Sequence, residues 1–468
     1  MIKLLPLEKN AIILKEYFES SPVSFCDLSV GTKYLWRDTF VCYYSFYNDT
    51  LILAESCPDY DLAFYYPIGN DVDGALTAIE DYCKKNGLAL RYCCIDNERA
   101  VKLLDRYPRV EIYNLRDWSD YIYDAHAFTT FKGKKYSGQR NHINKFKSLY
   151  PNYEFCVLGK SDFESVKEFL DEYERLTVKN LWTATQEQKN VLELTANLSE
   201  LNQLGGAIKV NGKIVALSVG EIVGDTLIVH VEKALKGYQG VYPLMANEFA
   251  KAFVTDKVKY INREEDCGDI GLRISKLQYH PLLIKEKNIV LAKTLFGQLP
   301  KSISLTGERV SVTEILPSDK ERYSSLYLDD ELNKYWGYDY REDLGDRTPN
   351  GEYFYAFQQA LKDKKEEFSF AVRVDKIMIG ELVLHNFGYD DSLEMGFRFF
   401  SDYQGKGYAF ESANLLKNWV IENLKPKVIK SRCYKQNLPS KNLITKLGLT
   451  EYASDQTHFY FSQSFEKE

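Results

Sequence analysis

Residues 394–420 read EMGFRFFSDYQGKGYAFESANLLKNWV. A strand over 393–400 runs into a glycine loop, and the loop opens directly into an amphipathic helix over 410–423. Glycines at 405 and 407 let successive backbone N–H groups turn toward one point. A helix N-terminus behind them adds its own unsatisfied N–H groups. Together they predict an anion cradle of pyrophosphate size over Gln404, Gly405, Lys406, Gly407, Tyr408 and Ala409, with Lys406 adding charge. The bland alternative is a glycine turn that only caps the helix. No Gly-Lys-Ser/Thr follows and GxGxxG is absent, so neither the nucleotide P-loop nor the dinucleotide fingerprint is present.

Outward from this segment the pattern alternates helices and strands. Strands are predicted over 310–315, 428–434 and 458–461, helices over 352–362 and 440–447, and a hairpin over 368–374 and 377–385 turned at Asp375-Lys376. An antiparallel hairpin before the central strand makes this a mixed α/β sheet rather than a doubly wound parallel one. A similar order precedes it. A hairpin turned at Asn211-Gly212, a strand over 226–232, a helix over 244–254 and a strand over 259–263 follow a basic stretch at 132–147. Further back lie strands at 39–48 and 50–55 joined at Asn48-Asp49, and a helix over 73–86. Tyr238-Gln239-Gly240 and Tyr403-Gln404-Gly405 occupy equivalent places between strand and helix, which predicts an internal repeat. Domains are expected at 1–125, 126–297 and 298–468.

Composition narrows the function classes. The chain has 468 residues, net charge −7 and 45% hydrophobic residues, so a globally basic nucleic-acid binder is disfavoured and no DNA partner is expected. Nine Cys without a CxxC pair and six dispersed His predict reduced thiols, no metal site and a cytoplasmic protein. No segment reads as a signal peptide or membrane span. The stretch 132–147 carries Lys132, Lys134, Lys135, Arg140, Lys145 and Lys147 and no acid. It is either a solvated helix face or a contact for tRNA or another anion.

Gln404-Gly405-Lys406-Gly407-Tyr408-Ala409, with Glu394 on the strand before, Asn437-Leu438-Pro439-Ser440 after the next strand and Lys446-Leu447-Gly448-Leu449 beyond, resembles the GNAT acyltransferase superfamily over about 304–461, especially its ribosomal-protein N-acetyltransferase-like branch. The resemblance implies acetyl transfer from acetyl-CoA to a primary amine of a small molecule, peptide or protein N-terminus. It implies Glu394 as base through a water, backbone N–H groups around Phe397–Phe399 for the oxyanion, Ser440 as proton donor to the thiolate, and Asn437 orienting the cofactor or that serine. Glu394 also reads as a solvated carboxylate, Ser440 as a helix N-cap, Glu411 as structural, and Tyr434 as a packing residue or second donor. Tyr335, Trp336, Tyr338, Asp339, Tyr340, Glu342 and Asp343 form an aromatic and acidic loop that suits a cationic acceptor or simple packing.

Residues 136–146, 262–266, 271–276 and Tyr279-His280-Pro281 resemble an uncharacterised bacterial family related to the phosphatidylglycerol lysyltransferase C-terminal domain. That resemblance implies two tandem GNAT-like folds, hence three consecutive GNAT-like folds in all. The front pair is then an aminoacyl-tRNA-dependent transferase or a non-catalytic substrate- or anion-binding module. Arg140, Asp266, Arg273 and Lys276 are the anion-site candidates, and they also suit a structural ion-pair network. The loop 236–243 departs from the CoA signature, so no CoA is expected there.

Overall fold

A computed structural model describes residues 2–21, 25–57, 60–177 and 182–465. Three mixed sheets of seven, seven and eight strands are present. Each carries a parallel pair bridged by a helix. Tyr60–Phe64 pairs with Arg91–Ile95 around the helix Val72–Lys85. Thr226–Ala234 pairs with Tyr260–Asn262 around Val241–Phe253. Ser392–Phe399 pairs with Val428–Tyr434 around Tyr408–Asn423. The repeat suggested by two short Tyr-Gln-Gly echoes is thus a repeat of topology: an antiparallel meander followed by one β-α-β crossover.

The hairpin turns form at the pairs expected. Asn48-Asp49, Asn211-Gly212 and Asp375-Lys376 all have positive φ at both positions (44 and 57, 51 and 79, 50 and 69°), the turn whose twist matches that of the flanking strands.

The chain divides into two compact units, one of 1–102 with 112–291 and one of 103–111 with 292–468. Within the first, strand Asp120–Asp124 belongs to the second sheet, between Leu283–Lys285 and Tyr260–Asn262. Strand Asn288–Ala292 pairs with Arg91–Ile95 of the first sheet. Sheet membership therefore does not follow the divisions drawn at 125 and 297. The chain returns to the first sheet after completing the second, and this exchange ties both sheets into one unit. Short strands such as Asp120–Asp124, flanked by charge, give little periodicity to read.

In the C-terminal unit the sheet order is Ser304–Thr306, Ser311–Glu314, Glu367–Val374, Ile377–His385, Ser392–Phe399, Val428–Tyr434, His458–Ser464, Thr450–Ser454. The helix Tyr408–Asn423 buries Ala413, Leu416 and Val420 at helical spacing, in one core with Leu382, Leu384, Leu393 and Ile429. Burying these side chains anchors the helix, and its N-terminus stays at the sheet end where the loop emerges.

Candidate active site in the C-terminal unit

Parallel pairing between Ser392–Phe399 and Val428–Tyr434 covers only Ser392↔Val428, Leu393↔Ile429 and Glu394↔Lys430, although both strands continue. Beyond Glu394 they part. Phe400 N–H bonds to Ile379 O at 3.1 Å in an unbroken antiparallel register. By the alternation of such a ladder, the amides of Arg398, Gly396 and Glu394 face the neighbouring strand, and those of Met395, Phe397 and Phe399 face the gap. Ser431 Oγ donates to Met395 O at 2.9 Å and closes the narrow end.

A cavity of about 520 Å³ opens there, and its walls include Glu394, Phe397, Phe399, Gln404, Gly405, Gly407, Ala409, Asn437 and Ser440. Of the eleven catalytic and cofactor-binding candidates, nine therefore line one cavity; Lys406 and Tyr408 lie outside its lining. Gly405 and Gly407 adopt φ of 68° and 86°, conformations that cost an L side chain about 1–2 kcal/mol. A Cβ on Gly405 would meet nothing within 4 Å. Helix Tyr408–Asn423 begins at Gly407 without a side-chain cap, so its first N–H groups are open to a ligand. This open turn at an uncapped helix fits a diphosphate.

Glu411 pins the turn from behind. Its carboxylate accepts from Arg309 N at 2.7 Å and Arg309 Nε at 2.8 Å, while Arg309 Nη1 donates to Lys406 O at 3.1 Å. Burial opposes ionisation of Glu411, but these donors outweigh it and hold the carboxyl below its usual range.

Asn437, not Ser440, is the N-cap of the helix Leu438–Lys446: its Oδ1 accepts Ser440 N–H at 3.2 Å. The cap reading of Ser440 is corrected, and its hydroxyl stands beside the Cys433 thiol. Tyr434 lies outside the cavity lining, its ring 4.1 Å from that of His458 and 5.7 Å from that of Tyr335.

Glu394 is held by two neighbours. Oε2 accepts from Asn386 Nδ2 at 2.8 Å, and Oε1 lies 3.3 Å from Arg432 Nε. Several cavity residues carry no sequence motif. Leu332, Tyr335, Trp336, Gly337, Tyr338, Glu367, His385 and Arg398 also line it. The aromatic loop makes packing contacts: Trp336 covers the Arg398 guanidinium at 4.4 Å, and Tyr338 stacks on Phe357 at 5.5 Å. Burial raises the Glu367 carboxyl to about 7, nearby Glu381 adding to the effect.

The four anion-site candidates of the first unit do not form an open site. Arg140 Nη1 donates to Phe131 O and Gly133 O at 2.5 and 2.6 Å. Lys276 Nζ donates to Arg263 O and Glu265 O at 2.6 and 2.5 Å, and burial lowers its pKa. Arg273 clamps the fully buried Asp266 through Nε at 2.9 Å and Nη2 at 2.7 Å and also bonds Asp117. Each charge has a protein partner, the arrangement of a structural network. The loop equivalent to the cradle is filled as well. A Cβ on Gly240 would lie 2.1 Å from His142 O, and Tyr150 packs on Tyr238 at 5.2 Å, so helix Ser137–Leu149 sits on it. Lys132, Lys134, Lys135 and Lys145 remain exposed.

Among the described residues no helix is long and apolar enough to cross a membrane. Residues 19–289 match the family model described as phosphatidylglycerol lysyltransferase, C-terminal, and residues 309–450 match one described as acetyltransferase (GNAT) domain. An uncharacterized N-acetyltransferase, YnaD, of Bacillus subtilis (strain 168) is 29% identical over 87 residues, 19% of this chain and 51% of that protein. The chain thus spans about half the length of that curated relative. A conserved protein of unknown function from Bacteroides thetaiotaomicron VPI-5482 has a crystal structure similar over 63% of this chain and 100% of its own, at 29% identity and a TM-score of 0.59. A GNAT-family acetyltransferase from Bacillus anthracis aligns with 35% of this chain and 98% of its own at 21% identity, with a TM-score of 0.30. With more than half of its length matching the first model, the chain belongs to the phosphatidylglycerol lysyltransferase C-terminal family, and it carries a GNAT acetyltransferase domain behind that region.

Proposed function

We propose that the C-terminal unit transfers an acetyl group from acetyl-CoA to a primary amine of a small molecule, peptide or protein N-terminus. The observation that carries the reading is the parting of two parallel strands beside an uncapped helix N-terminus, both opening on one cavity. The match of residues 309–450 to an acetyltransferase domain supports it.

In this reading Gln404–Ala409 holds the diphosphate through backbone N–H groups, which puts the acyl thioester between the parted strands. The amides of Phe397 and Phe399 stabilise the oxyanion that forms on the carbonyl oxygen. Ser440, also in the cavity lining, protonates the departing sulfur, and Asn437 holds the first turn of its helix in place. Tyr335, Trp336, Glu367 and Glu394 make a wall that attracts an ammonium group. The amine reacts only after losing a proton, since an alkylammonium has a pKa of about 10.4. Glu394 and His385, both on the cavity wall, can take that proton.

Free CoA release by the full chain, with acetyl-CoA and a panel of primary amines, tests the reading. Amine-dependent release is expected; its absence with every amine, together with no thermal stabilisation by acetyl-CoA, ends it.

For the first unit a second reading follows from the exposed Lys132, Lys134, Lys135 and Lys145, with no acid among them. They form a contact for tRNA or another polyanion. Retention of aminoacylated tRNA that falls steeply with salt is expected, and no retention at low salt removes this partner.

A further inference from the structure

We propose that His385 takes the proton from the incoming amine and that Glu394 acts as its positioning partner, an inference that rests on the acyl-transfer reading above. His385 ends the strand Ile377–His385, where Glu367 pairs with it from the strand on one side. It pairs across the ladder with Glu394 on the other, so both side chains of this second pair lie on one face of the sheet. Both line the cavity, at the level where parallel pairing stops. His385 Nε2 is 4.0 Å from Glu394 Oε1. A Cβ on Gly396 would stand 3.8 Å from that nitrogen and 3.6 Å from the Trp336 ring. The bare glycine thus leaves a gap between the imidazole and the indole, beside the amide of Phe397.

The two candidates differ in what already holds them. Glu394 has one oxygen on Asn386 and the other on Arg432. His385 makes no hydrogen bond among the described residues, and its side chain keeps 23% of its exposure. Burial lowers the pKa of His385 from its ordinary value; Glu394 pulls it up by less, and Arg432 pushes it down. The ring is therefore neutral at pH 7, with a lone pair free to accept a proton. Glu394 supplies a negative charge that favours the imidazolium once formed.

His385 accepts one proton from the ammonium, and the freed nitrogen lone pair forms the N–C bond to the thioester carbonyl carbon. The tetrahedral adduct collapses, the C–S bond breaks, and its electron pair leaves on sulfur. A second proton from the nitrogen reaches that sulfur by way of Ser440, and His385 returns the first to water. One ammonium and one thioester become one amide, one thiol and one released proton.

The test compares the full chain with its His385→Gln and Glu394→Gln variants, measuring CoA release against pH with the best amine of the panel. The parent is expected to lose kcat/KM as pH falls through an apparent pKa below about 6.5. His385→Gln should lower kcat roughly 10²–10³-fold at pH 7 and erase that limb, with the KM for acetyl-CoA nearly unchanged. Glu394→Gln should keep the limb and move it to lower pH, because the charge that raises the imidazole pKa is gone. Added imidazole should restore activity to His385→Gly, which a packing role would not allow. A parent that is active while His385→Gln keeps its rate and its limb overturns this inference alone, as does a limb erased by Glu394→Gln. A parent that releases no CoA with any amine overturns the acyl-transfer reading and takes this one with it.

Discussion

Glu411 accepts the backbone N–H of Arg309 at 2.7 Å, a bond between the first turn of the helix behind the cradle and the chain two residues before the strand Ser311–Glu314. Because Arg309 in turn donates to Lys406 O, the carboxylate fixes the turn without facing the cavity. Glu411→Ala removes the acceptor for two strong donors. The expected loss is about 1–3 kcal/mol, since each is a hydrogen bond to a charged group. Urea unfolding should show that loss, and the KM for acetyl-CoA should rise. A normal KM in a variant of reduced stability would show that the turn holds its shape unaided.

Gly405 has a φ of 68° and open space where a side chain would project. Gly405→Val therefore strains the backbone by about 1–2 kcal/mol without a clash inside the protein. The valine would fill the space in front of the converging amides. Acetyl-CoA at a hundred times its Kd should stabilise the parent by about 2.7 kcal/mol and the variant not at all. Thermal unfolding with and without the ligand decides it, and an undiminished shift in the variant would mean the diphosphate binds elsewhere.

The parts of this site that could be read from sequence are those with a local geometric requirement. Gly405 and Gly407 announce themselves because the turn needs positive φ, and Asn437 and Ser440 sit at a fixed spacing around a helix start. His385 has no such mark. It is a polar residue at the end of a mostly apolar strand, and the register opposite Glu394 brings it to the cavity. The first unit shows the opposite failure. Arg140, Arg273 and Lys276 have the composition of an anion site, but composition cannot say where a long side chain puts its charge. Here the charges go to carbonyl oxygens and to Asp266. The strand Asp120–Asp124 was hidden by its length, and with it the exchange that joins the first two sheets.

Lys287, only 5% exposed in its side chain, puts its ammonium 2.7 Å from Asp120 and within 3.5 Å of Glu265, with Asp27 also in contact. Cys26, Asp27 and Asp120 lie close enough to ligate a metal, but the lysine occupies that position and is their counter-ion. Lys287→Met keeps most of the side chain's length and removes its charge, leaving buried carboxylates facing one another. Breaking a buried pair from one side costs about 3–5 kcal/mol. Denaturant unfolding of the full chain should show a loss of that size in the first unit. A change under 1 kcal/mol, on the scale of an exposed pair, would mean water reaches the cluster.

His230 predicts a loss of stability at high pH. Its ring is fully buried, with Nε2 3.0 Å from Glu221 and Nδ1 2.8 Å from Glu264. Burial disfavours the charged ring, but the hydrogen bonds and charges of the two carboxylates outweigh it and raise the pKa to about 9. In the unfolded chain the value returns to about 6.5. A folded pKa above the unfolded one means the folded state binds the extra proton. The resulting stabilisation is complete below about pH 6.5, declines as pH rises, and is gone once pH passes about 9. His230→Gln should remove this dependence while keeping a donor toward one of the two carboxylates. Unfolding free energies from pH 6 to 10 test the claim, and parallel curves for parent and variant would show that His230 is not the group whose proton is lost.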